Sequence, residues 1–159
     1  MEPTPDPQPF SVPAPPAAAG TANDERAVAD EPEVGQLTAG WGTVFWIGWM
    51  LIAASFVAIW YSSRLIGLST WWLGPESDPR LILVNLLPIT VPFALGVAGF
   101  KALRRLPWWG MAGAAFVAFV AAFDISRVPG YAVIEFGLAG AGLCISLASF
   151  AGMYRVAEQ

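Results

Sequence analysis

From Trp41 onward the chain alternates long apolar runs with short polar connections. The runs are WGTVFWIGWMLIAASFVAIWY from Trp41, LILVNLLPITVPFALGVAGF from Leu81, WWGMAGAAFVAFVAAF from Trp108 and EFGLAGAGLCISLASFAGMY from Glu135. A helix needs roughly 20 apolar residues to cross about 30 Å of hydrocarbon. The first, second and fourth runs meet that length and the third reaches it by extending from Pro107 to Ile125, so the expected spans are 41–61, 81–100, 107–125 and 132–154. None carries the polar stripe every 3.6 residues that a water-facing helix shows. In so short a chain, only lipid can cover four helices that are apolar all round. The predicted fold is an all-α membrane protein, an antiparallel up-down four-helix transmembrane bundle over residues 39–159.

The connections are about 19, seven and eleven residues long, and short connections force neighbouring helices to alternate in direction. The N-terminal segment, the 101–107 loop and the C-terminus then share one face. The 62–80 and 124–134 loops share the other. Lys101, Arg104, Arg105 and Arg155, with Arg26 farther off, outnumber Arg64, Arg80 and Arg127, which by the positive-inside rule places both termini in the cytoplasm. Trp41 and Tyr61 bracket the first span, Tyr131 and Tyr154 the fourth, and Trp108-Trp109 open the third. Rings with an apolar body and a polar tip favour the headgroup zone. On that pattern the segment STWWLGPESDPR, with Trp71, Trp72 and the Gly74-Pro75 turn, reads as an interfacial loop on the outer rim.

Composition sharpens this picture. Of 159 residues, 56% are hydrophobic and 13% charged, against about 25% charged in soluble domains. Seven of the twelve acids lie in residues 1–36, and MEPTPDPQPFSVPAPP holds seven prolines in sixteen residues. Such a segment buries too little apolar surface to offset its ordering entropy, so residues 1–38 are expected to be a disordered acidic, proline-rich tail. No basic stripe suited to nucleic acid is present. The sequence has no histidine, one cysteine (Cys144), and no GxxxxGK[ST], GxSxG, HExxH or CxxC motif. Neither catalytic nor metal-binding residues, nor a cofactor, are therefore expected.

Three features remain as candidates. Pro88 and Pro92 lie one turn apart in the second span, with Asn85 near its outer end. Each proline frees a carbonyl, either packed as a kink or lining a cavity as in transporters with broken helices. Gly110, Ala114, Ala118 and Ala122 recur at four-residue steps, and GLAGAG supplies Gly137 and Gly140; small residues at that spacing let helices approach closely. On the outer face lie Asp124, Arg127, Arg64 and Glu135. A carboxylate inside a span is costly and needs a partner, here Arg127 or Arg64, unless Glu135 reaches the headgroups at the end of its span.

The expectation is a non-catalytic accessory, assembly or scaffold component of the cell membrane, packing against copies of itself or another membrane protein within the lipid bilayer. The alternative is a small oligomeric transporter using the proline-bearing second span and Glu135.

Overall fold

The computed structural model describes residues 34–75 and 81–154. The expected tail up to position 33, Glu76, Asp78 and Arg80 of the long loop, and Arg155 lie outside these residues. Four helices, α1 (Ala39–Ile66), α2 (Ile82–Phe100), α3 (Leu106–Asp124) and α4 (Pro129–Ser149), are followed by a 3-10 turn, Phe150–Gly152. All four are long and apolar enough to cross a membrane. The chain is an integral membrane protein built as a four-helix bundle. Helices α1–α2 and α3–α4 pack as hairpins, and α1–α4 and α2–α3 contacts close the ring.

The first helix outruns its predicted span. It continues past Tyr61 to Ile66 and stops where Gly67 takes a left-handed conformation (φ 69°), its N–H bonded to the Ser63 carbonyl. At 28 residues it is about 42 Å long, against about 28 Å for the 19-residue α3. The overhang leaves room above α3 and α4 at the end where the 62–75 loop returns.

Although all four helices are apolar all round, their inward faces are sharply defined. From α1 come Phe45, Trp49, Ile52, Phe56 and Ile59, all buried, at alternating three- and four-residue spacing. The other helices meet these rings with glycines. An added Cβ at Gly99 would lie 2.9 Å from the Phe45 ring and 3.2 Å from the backbone nitrogen of Trp46; at Gly142 it would lie 3.0 Å from the Trp49 indole. Gly113 faces Leu95 and Trp49, and Gly110 faces Ser146 and Phe45.

The small-residue stripes divide between the bundle interior and its outer surface. Gly110 and Ala114 are buried, Ala118 is half-buried and Ala122 is exposed. A four-residue step overshoots the 3.6-residue turn by about 40°, so the row winds off the interface. Val117, Val120 and Ala121 take its place in the core. In α4, Gly137 and Gly140 face open space, and the packing glycine is Gly142.

At the termini end the chain closes on itself. Leu37 and Met153 form an antiparallel bridge. Gly35 N–H donates to the Tyr154 carbonyl (3.0 Å), Tyr154 N–H to Gln36 (2.9 Å), Thr38 N–H to Gly152 (2.9 Å) and Arg105 N–H to Gly35 (3.1 Å). Residues 34–38, assigned by sequence to the tail, thus belong to the folded body. Their backbone groups find partners at the end of the fourth span and at the start of α3.

Gly99→Ala should destabilise the protein by about 1–3 kcal/mol in detergent thermal unfolding, because backbone as well as side chain blocks the new methyl. Gly137→Ala should be neutral or slightly stabilising, as the methyl meets nothing and helix propensity improves. Equal losses at both positions would contradict the glycine-bay packing.

Candidate functional site

The polar side chains gather at the end opposite the termini, around the tryptophan loop. Past Gly67 the Ser63 hydroxyl binds the Leu68 carbonyl, turning the chain back toward the bundle. Residues 70–74 form a tight turn in which Leu73 N–H (3.2 Å) and Gly74 N–H (3.1 Å) both donate to the Thr70 carbonyl. Gly74 adopts φ 66°, a conformation that favours glycine. Thr70, Trp72 and Leu73 are fully buried, filling the space left by the overhang of α1.

The rim reading of Trp72 is therefore corrected. Its ring packs edge-on against Phe56 of α1, centroids 6.3 Å apart, and its indole N–H donates to Glu135 Oε1 of α4 at 3.3 Å. Trp71 engages α3 instead. Its backbone N–H donates to Asp124 Oδ1 at 2.8 Å, its indole N–H to the Val120 carbonyl at 3.0 Å, and its ring lies 5.2 Å from that of Phe123. Two consecutive residues so fasten three helices. Tyr131, expected at the interface, is buried and its hydroxyl pairs with that of Ser62 at 2.9 Å, tying α4 to α1. Trp108 and Trp109 do remain exposed at the opposite end.

Glu135 does not reach the headgroups: it is fully buried, as is Asp124. Nor is its partner an arginine. Arg127 is exposed in the turn after α3, and Arg64 is half-buried on α1. Glu135 Oε1 accepts a hydrogen bond from the Trp72 indole N–H, and its Oε2 receives none. The loop's tryptophans arrive with ready N–H donors, whereas a guanidinium would have to leave water to reach the same place.

The sequence singled out Asp124, Glu135, Trp71 and Trp72 separately; the structure joins them. Asn85, on the first turn of α2, belongs to the same end of the bundle. Pro88 and Pro92 are buried, and α2 continues through both. Thr70 and Ser62 were missed, and nothing in their sequence setting distinguishes them from other loop or helix hydroxyls.

Chemically, this end is rich in acceptors. Thr70 Oγ1, Asn85 Oδ1, Asp124 Oδ2 and Glu135 Oε2 are buried with no hydrogen-bond partner, each at a desolvation cost of about 1–3 kcal/mol. Oxygen groups of this kind suit a proton, a water molecule or a hard cation. Among the described residues no three His, Cys, Asp or Glu side chains group together to hold a metal ion.

Asp124→Asn should keep stability nearly intact, because the amide oxygen can still accept from Trp71. Asp124→Leu should lose about 1–3 kcal/mol, stranding a buried N–H, and should speed amide hydrogen exchange at Trp71 and Leu73. Unchanged exchange in Asp124→Leu would mean that the carboxylate does not hold the loop. No protein-family model matches this chain, and no curated protein or solved structure matches it either.

Proposed function

We propose that this protein is a non-catalytic, multi-pass component of the cell membrane that associates through its α3–α4 face with copies of itself or with a larger membrane complex. The observation that carries this reading is a pair of glycines with nothing to fit. Gly137 and Gly140 lie in the interior of α4, where glycine costs about 0.5–1 kcal/mol relative to alanine, yet a Cβ at either would meet no atom of the protein. Ala141, Cys144 and Ala148 continue the exposed smooth face. Beside it runs a groove of about 380 Å³ between α3 and α4, lined by Ala114, Ala118, Phe136, Gly140 and Leu143 among others. Apolar burial drives little association within lipid; close backbone approach over small residues does. A second membrane helix supplies the ridge that such a groove accepts.

The polar end supports the same reading, because its carboxyls hold the tryptophan loop. The unpartnered oxygens there favour the other reading, an oligomeric transporter using Glu135. That version requires the oligomer too, since four helices enclose no wide path.

Cys144 is exposed on the face in question and is the sequence's single cysteine, so the native chain carries its own probe. In native membranes, a short bis-maleimide should link Cys144 to a second copy, or to a neighbour in constant proportion. Gly140→Leu and Ala118→Leu should abolish the product while shifting thermal stability little. A chain that stays uncrosslinked and purifies alone in mild detergent would refute the association. Solute flux through proteoliposomes of the purified protein, abolished by Glu135→Gln, would put the transporter first.

Both termini are placed in the cytoplasm by the base count. In a Cys144→Ser background, cysteine at position 77 should then react with an impermeant maleimide in intact cells, and cysteine at position 17 should not. The reverse pattern would invert the orientation.

A further inference from the structure

The α2–α3 seam differs from the α3–α4 face in a way that specifies a ligand. It is the looser junction, and a groove of about 440 Å³ opens along it, within the range of about 300–1,000 Å³ typical of ligand clefts. Its walls are apolar throughout, with Val91, Leu95 and Ala98 from α2 facing Leu106, Trp109 and Phe116 from α3. At the termini end the character changes abruptly.

There the groove is closed by the loop that joins the two helices, and Leu103 of that loop is itself part of the lining. Around it the sequence reads KALRRL, three bases and no acid in six residues. Lys101 and Arg105 are exposed, and Arg105 directly precedes the lining residue Leu106. The loop is held firmly. Ala102 and Arg105 take left-handed conformations (φ 48° and 60°), strained for residues with a side chain, and Arg105 N–H is bonded to the Gly35 carbonyl. Trp109, exposed at the groove's edge, supplies a ring suited to the headgroup boundary.

An apolar groove that ends beside a loop carrying exposed bases is complementary to an amphiphile with an anionic head. We propose that the α2–α3 seam binds one anionic phospholipid, its acyl chain lying in the groove against Leu95, Ala98 and Phe116 and its phosphate held by Lys101 and Arg105. Basic sites between transmembrane helices recognise headgroups by the same physics. The site does not involve the α3–α4 face and stands whether or not the chain associates through it.

The test uses the full chain in mild detergent, with lipids of identical acyl chains added. Native mass spectrometry and thermal unfolding should both show that phosphatidylglycerol binds and stabilises, and that phosphatidylcholine does so far less. Lys101→Gln with Arg105→Gln should weaken phosphatidylglycerol binding about thirtyfold, the loss expected for two bases near a charged headgroup. Ala94→Phe and Ala112→Phe change exposed alanines on opposite walls. Each should fill the groove and prevent binding while leaving all three bases in place, so failure of one variant to fold leaves the other. Equal binding of the two lipids would overturn the proposal. So would loss of binding in the charge variant with full retention in both groove variants, since the headgroup would then sit on the surface alone. Glycerol 3-phosphate should give no stabilisation; protection equal to that of the lipid would mean a free-phosphate site instead.

Discussion

The packing of α1 aromatics into glycine bays is the contact on which the bundle depends. Within lipid, burying an apolar ring against another helix gains little over leaving it among acyl chains, so dispersion and fit must hold helices together. Phe45 and Trp49 bring large flat surfaces, and Gly99, Gly110, Gly113 and Gly142 let the facing backbones close onto them. The largest rings come from α1, although Gly48 of α1 in turn receives Ile145 of α4. This packing sets which helices touch α1 and at what height. It also buries the Trp49 indole nitrogen without a partner, a polar cost accepted for the sake of the ring.

The tryptophan loop solves a problem created by the same helix. A 28-residue α1 beside helices of 19 to 21 residues leaves an open mouth at one end. Trp72 and Leu73 fill it with apolar bulk, and the carboxyls of Asp124 and Glu135 receive the N–H groups that entering indole and backbone must satisfy. Acid and tryptophan are thus complementary parts of one closure. A carboxyl buried this way accepts one donor and leaves its second oxygen bare, which is why the end that seals the bundle is also its most acceptor-rich place.

The four spans were legible because hydropathy over some twenty residues is a strong signal, and the connection lengths left little freedom in how the helices alternate. What could not be read was which side of each helix faces inward. A soluble helix betrays its core face by contrast with a polar one; here Leu51 and Ile52 look alike, yet one is exposed and the other buried. The four-residue stripe led through Ala118 to Ala122 because it ignored the drift of the helix. The spacing Ala139, Gly142, Ser146, Ser149, alternating three and four, marks the true inner face of α4 and was available in the sequence. Trp72 misled for a different reason. Adjacent tryptophans at the edge of an apolar run have the composition of an interfacial belt, and only the overhang of α1 reveals the cavity into which one of them goes. Glu135 followed from that error, since its donor is the residue placed on the rim.

The junction of residues 34–38 with 152–154 has a mechanical consequence. Because Leu37 is bridged to Met153 and Thr38 is bonded to Gly152, a pull applied upstream of Val34 does not load α1 alone. It is divided at once between the first and last helices, which lie side by side in the ring, and through the Arg105 amide it also reaches the start of α3. Traction on the N-terminal segment is thereby spread over three of the four helices at a single anchorage, and the bundle responds to it as one body.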